Sequence, residues 1–352
     1  MVLSVINLQV EQEQWETLRQ NVWSHDYVNA YLSNDSNVMQ PVKLRYRGGH
    51  TREYPKKSFE VESRSGTIHL NAEYDDPSMI RNALSFKFFE RIGVPSPATK
   101  HCVLTLNGEN LGPYLKIEGV DSRFFLRRGL PCTALFYAGN DDANFSLLNP
   151  DTNKLKTSLF QGYELVIGEQ ADRKRLEDFI FNLNTLPPKK LYKYLESLID
   201  LDNYLKWLAG AVCTSNYDGF NQNYALYNSS PDFIYRIIPW DYEGSWGRNC
   251  FGERCSSRSV RIMGYNILTK KILSNKQYKK KYKEILQEIL ESVFTTDSLQ
   301  PHVEHLLANV RPAIEIDNTR KWPIRIVARE PYIIMSYIRN RRKFLAKHLK
   351  SF

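Results

Sequence analysis

Asp218 and Asn223, five residues apart in the run Asp218-Gly-Phe-Asn-Gln-Asn223, and Asp241, which ends the apolar run FIYRIIPW, are the side chains best suited to chemistry. A carboxylate beside an attacking hydroxyl can take its proton, and an aspartate with an asparagine offers the hard oxygens that Mg²⁺ prefers. The surrounding pattern sets their order. An apolar stripe of Leu201, Leu205, Leu208, Ala209 and Val212 reads as a buried helix ending near Cys213 to Asn216, just before Asp218. Two strand-like runs, NYALYN and FIYRIIPWD, follow and are joined by Ser229-Ser230-Pro231-Asp232 as a hairpin loop. Helix, loop, hairpin and strand-end aspartate is the order in which protein kinases present a catalytic base, a metal-binding Asn and a metal-binding Asp. The expectation is that Asp218 faces the incoming hydroxyl while Asn223 and Asp241 share a Mg²⁺.

A triphosphate also needs cationic and backbone contacts. Arg47-Gly48-Gly49-His50 is a glycine-containing connection whose backbone can approach phosphates, and Lys56 and Lys57 follow it. Strand alternation groups Lys57 with Phe59 and Val61 and sends Lys56 the other way. An ordinary hairpin with a lysine-rich edge explains the same residues without a ligand. Other machines are absent: there is no Walker A loop, G-x-G, G-x-S-x-G or H-E-x-x-H, and His302 and His305 lack further ligands nearby.

These residues require two kinds of scaffold. From Pro41 to Glu118 the chain alternates like a sheet, with a hairpin turn at Asn107-Gly108 and one helix over 77–92 opened by Asp76 and Pro77. From about residue 170 it becomes mainly helical, with helices over 171–183, 189–199 and 201–214 and several more from 265 onward. The fold class is α+β: a small sheet-rich lobe over residues 1–118 and a larger helical lobe over 119–352.

Composition agrees with a folded protein of one or two domains: 352 residues, 42% hydrophobic, 25% charged. No apolar run is long enough for a membrane span, and the first residues lack the pattern of a signal peptide. Five cysteines without a CxxC pair are expected as free thiols, although Cys250 and Cys255 could pair on oxidation. The net charge of +9 is concentrated in two stretches. Residues 270–283 hold seven lysines and 339–350 six Lys or Arg, neither with an acid, and both have the apolar spacing of amphipathic helices. A solvated basic face is the plain reading; a surface for an acidic partner is the other, and nucleic acid rests on charge alone.

Four blocks in order, RYRGGHTREYPKKSFEVE, DPSMIRNALSFKFFERIGVPSPATKHCVLTLNGENLGPYLKIEGVD, NYDGFNQNYALY and IPWDYEGSWG, resemble the CotH family, spore coat proteins of bacilli with an atypical protein-kinase-like fold. The resemblance implies a two-lobed protein serine kinase that uses ATP and Mg²⁺ to phosphorylate serine-rich spore coat proteins, in the mother-cell cytoplasm and the spore coat. It assigns Asp218 as catalytic aspartate, Asn223 and Asp241 as metal ligands, and Lys57, with Lys56 as alternative, as phosphate-binding lysine. Arg47, Gly48 and Gly49 fall at the phosphate-side turn. Glu118 falls where a kinase has its hinge. The sequence departs from ordinary kinases in having Asp-Tyr-Glu-Gly at the metal aspartate and no evident helix glutamate to pair with the lysine, Glu90 lying late in its helix. AMP transfer by a kinase fold, and a non-enzymatic coat scaffold, are the alternatives.

Overall fold

The structure, a computed structural model, describes residues 3–34, 38–229 and 231–352. Two compact units are formed from interleaved segments: Met1–Leu84, Pro97–Phe124 and Pro301–Tyr332 in one, and Ser85–Ser96, Phe125–Gln300 and Ile333–Phe352 in the other. Strands and helices are both extensive, as expected for an α+β protein.

The first unit is built on a closed barrel of seven strands: β1 (Ser4–Gln9), β2 (Val28–Ser33), β3 (Gln40–Arg47), β4 (Ser58–Ser63), β5 (Gly66–Asn71), β6 (Thr99–Leu106) and β7 (Glu109–Glu118), in the order β1-β2-β3-β4-β5-β7-β6. Alternation explains its interior. On β3, Val42, Leu44 and Tyr46 are buried while Lys43 is exposed, and Phe59, Val61, Leu70, Leu104 and Tyr114 complete the core. The β6–β7 turn has positive φ at both Asn107 (50°) and Gly108 (84°), the backbone of a two-residue hairpin turn. Parallel pairing of β1 with β6 closes the barrel, so β1 and β2, unread in the sequence, complete the sheet.

Helix α1 spans Gln12–Gln20 and α2 spans Arg81–Arg91, a shorter helix than the 77–92 expected. The reason is local. Asp76 accepts the Ser78 and Arg81 backbone N–H groups, and Met79 stands at φ 57°, outside helical geometry. Asp76 also holds the Arg81 guanidinium, whose other end donates to Glu330 at 2.7 Å, with all three side chains buried. Burial opposes the Asp76 charge, but Arg81 and the hydrogen bonds outweigh it and hold the carboxyl below its ordinary 3.8. Its stabilising contribution is therefore present above that range and is lost as acid titrates it. Arg81→Met removes the guanidinium shared by two buried acids and is expected to cost about 3–5 kcal/mol at neutral pH. Denaturant unfolding measures this; a loss below about 1 kcal/mol would mean the cluster behaves like an exposed pair.

The second unit contains a four-stranded antiparallel sheet, β11-β10-β8-β9, from β8 (Ala134–Ala138), β9 (Tyr163–Ile167), β10 (Tyr224–Asn228) and β11 (Arg236–Pro239). The expected hairpin is β10–β11; Ser230 of its loop lies outside the described residues. Its extension by β8 and β9 corrects the sequence reading of one isolated β interruption. After the short helix α3 (Ser122–Arg128) come α4 (Gln170–Thr185), α5 (Pro188–Leu198), α6 (Leu201–Thr214), α7 (Ile267–Leu273), α8 (Lys276–Ser292), α9 (Thr296–Glu315), α10 (Ile324–Val327) and α11 (Glu330–Leu349). Among the described residues no helix is long and apolar enough to cross a membrane.

Candidate active site

Helix α6 begins where Asp200 accepts the Asn203 N–H and is buried almost throughout. A buried helix end must satisfy its last carbonyls, and here side chains and backbone from elsewhere supply donors, with the Thr214 hydroxyl also 3.2 Å from the Ala211 carbonyl. Thr214 Oγ1 donates to the Gly210 carbonyl, buried Arg341 to Val212, Tyr337 to Cys213 and the Trp246 N–H to Thr214. The chain leaves through Ser215 at φ 54° into buried Asn216, and Asp218 opens a short 3₁₀ turn, Asp218–Phe220. The helix thus delivers Asp218 from a fixed end.

The hairpin register does the rest. Asn223 precedes β10 and Asp241 follows β11; the Trp240 N–H donates to the Asn223 carbonyl at 3.1 Å, so Asn223 lies across from the neighbour of Asp241. Both residues have positive φ, 60° and 55°, a conformation Asn and Asp tolerate better than most. Asn216 Nδ2 donates to the Asp241 carbonyl at 3.0 Å and ties the loop bearing Asp218 to the strand end. Gly219 leaves room for this tie, because a Cβ there would stand 2.8 Å from that amide nitrogen.

The charges converge as well. The Cys250 thiol is hydrogen-bonded to Asp218; burial first, then the Asp218 charge and this bond, with the Asp241 charge behind them, push the thiol up to about 12. Gly244 makes that approach possible, since a Cβ would meet the Cys250 backbone nitrogen at 2.7 Å. All five cysteines are free thiols, Cys250 and Cys255 included. Asn216 and Cys250 were missed by sequence reasoning; only contacts across the fold reveal them.

In the barrel unit, the turn after β3 has Gly48 at φ 102°, its carbonyl accepting from Arg52 Nε at 2.7 Å, while a Cβ on Gly49 would meet open space. Arg47 donates to Asn71 Oδ1 at 3.3 Å. The alternation expected to favour Lys57 does not reach it, because β4 begins only at Ser58. Lys57 Nζ instead donates to the Arg52 carbonyl. Lys56 is the buried lysine: its Nζ lies 2.7 Å from Asp317 Oδ2, with side chains 3% and 1% exposed. Burial lowers the Lys56 pKa, and the Asp317 hydrogen bond and charge offset only part of that. Asp317 comes so close to β7 that a Cβ at Gly112, φ 80°, would be 2.7 Å from its carboxyl carbon. In the other unit, Glu90, the helix acid considered from sequence, pairs with Lys87 at the surface. Glu118 accepts the Ala98 N–H at 3.0 Å at the end of β7.

Among the described residues no group of three or more His, Cys, Asp or Glu forms a metal cage. Asn223 and Asp241 fit a different kind of site, since Mg²⁺ is commonly held by one or two carboxylates together with substrate phosphates and water.

The family model described as CotH kinase protein matches residues 44–345, which include Lys56, Asp218, Asn223 and Asp241. The chain belongs to the CotH family. It is 40% identical over 99% of its length to the inner spore coat protein H of Bacillus subtilis (strain 168), covering 98% of that protein. It is 24% identical over 84% of its length to the inner spore coat protein H-like protein of the same organism, covering 86% of it. Among solved structures, HipA in the Shewanella oneidensis MR-1 complex with HipB and operator DNA superposes with a TM-score of 0.43 at 11% identity, covering 97% of this chain and 73% of that one.

Proposed function

We propose that this CotH-family chain is a Mg-ATP-dependent protein serine kinase of atypical two-lobed kinase-like fold that acts on serine-rich spore coat proteins during coat assembly. The observation that carries it is the placement of Asp218 at the fixed end of α6 with Asn223 and Asp241 brought together by the β10–β11 register. Asp218 accepts the proton of the substrate serine as its Oγ bonds to the γ-phosphorus and the bond to the leaving ADP oxygen breaks. Asn223 and Asp241 offer the amide and carboxylate oxygens for Mg²⁺, which when bound neutralises triphosphate charge. The likeness to inner spore coat protein H supports the coat as the place of action.

Lys56 is assigned to the α and β phosphates in preference to Lys57, because its burial beside Asp317 has the character of the lysine–acid pair that kinases use. Lys56→Met is accordingly expected to raise the KM for ATP about tenfold or more, by loss of a charge-assisted contact, while Lys57→Met changes it little. Steady-state kinetics of both variants, each checked for folding, decide the assignment; a larger defect in Lys57→Met would reverse it.

The activity itself is tested with purified protein, a serine-rich peptide and ATP labelled at either the γ or the α phosphate. Label on protein from the γ position alone supports the kinase. Label from the α position would mean AMP transfer, and no label with either would leave a coat scaffold.

A further inference from the structure

The loop that follows the metal aspartate and the basic face of α11 are not used by the proposed transfer. Buried Arg341 joins them: its guanidinium donates to the carbonyls of Ser257 at 3.0 Å and Val260 at 2.8 Å while also holding the end of α6. Against the loop so pinned lies a groove of about 670 Å³, lined among others by Ser257, Arg258, Asn340, Lys343, Lys347 and His348, with no acidic side chain among the described residues of its wall. Lys343 and Lys347 are one helical turn apart on the same face of α11, and both, like Arg258, are exposed. None of the three has an ion-pair partner among the described residues. Lys343 also lines a second groove of about 470 Å³ between α8 and α11, where Lys283, Arg342 and Lys350 outnumber the single acid, Glu291.

This charge calls for a compact polyanion. A phosphoserine carries nearly two negative charges and three acceptor oxygens, which a guanidinium and two ammonium groups around one cleft can share. Single-stranded nucleic acid would also need open aromatic faces for its bases. Phe344, the aromatic ring lining the groove, is already engaged by the His348 ring at 4.1 Å and the Arg341 guanidinium at 5.2 Å.

We propose that the groove between the Ser257–Arg258 loop and α11 binds phosphoserine-bearing segments of the protein substrate, holding a chain that has been modified once so that further serines are modified. The source of the phosphoserine rests on the serine-kinase reading; the binding needs no catalysis.

The test uses the full chain without nucleotide and a fluorescent serine-rich peptide with one central phosphoserine, against the same peptide unphosphorylated and a short oligothymidylate. Anisotropy is expected to show the phosphopeptide binding about 10- to 100-fold more tightly than its unphosphorylated form. That preference is expected to shrink in high salt and to vanish in Lys343→Glu/Lys347→Glu, whose circular dichroism should match the parent. With ATP and a multi-serine substrate the parent should accumulate multiply phosphorylated chains early and the double variant singly phosphorylated ones, both acting equally on a single-serine peptide. Equal affinity for the two peptides, an unaffected double variant, or displacement of the phosphopeptide by oligothymidylate at equal charge would overturn the proposal. Phosphate-specific binding lost in the double variant, in a protein that transfers no phosphate, would uphold the groove and sink the kinase reading.

Discussion

Asp218→Asn is expected to slow transfer from ATP to a serine peptide by about 10²- to 10⁴-fold, the usual worth of a positioned acid–base group. The substitution is nearly isosteric, and its amide oxygen can still accept the Cys250 thiol hydrogen bond. The turn that begins at residue 218 therefore keeps this contact while the carboxylate is removed. Binding and chemistry should separate: calorimetry is expected to give ATP affinity close to the parent, with the loss confined to kcat. If affinity fell along with the rate, Asp218 would be a metal-binding or structural residue instead.

Asp241→Asn is expected to abolish measurable transfer at ordinary Mg²⁺ concentrations and to regain only part of it when Mg²⁺ is raised. An amide withdraws the anionic oxygens that a hard dication prefers. Asparagine is the informative choice because residue 241 stands at φ 55°, where it is accommodated and where alanine would add backbone strain. The Asn216 hydrogen bond is also kept, being made to the backbone carbonyl. A titration of rate against Mg²⁺ reads the effect. An unchanged midpoint in the variant would remove Asp241 from the metal site, whatever its activity.

The structural setting of Asp218 and Asp241 was legible because it is local. The apolar stripe of α6 defines that helix within one stretch, and the alternation of β10 and β11 places Asn223 and Asp241 at the same end of one hairpin. Short-range periodicity and turn chemistry are written in neighbouring residues, so they can be read without the fold. The helix after Asp76 shows the limit of such reading. Pro77 looked like a first-turn residue, but side-chain bonds from Asp76 and the left-handed Met79 delay the helix to Arg81.

What lies across the fold was not legible. The first two strands were unread, and only their pairing with β3 and β6 shows that they close a barrel. Strand β8 is an apolar run too short to declare itself, and its partners come from distant parts of the chain. That Lys56, and not Lys57, is buried beside an acid depends on Asp317, 261 residues away, and on the strand beginning only at Ser58. Cys250 on Asp218 and Arg341 on the end of α6 are of the same kind. Sequence alone determined which residue types were at hand and the local order of helix, loop and hairpin that presents them. Tertiary structure decided which lysine is buried with an acid and which groups surround the aspartate, because desolvation and charge pairing depend on distances in space that spacing along the chain does not encode.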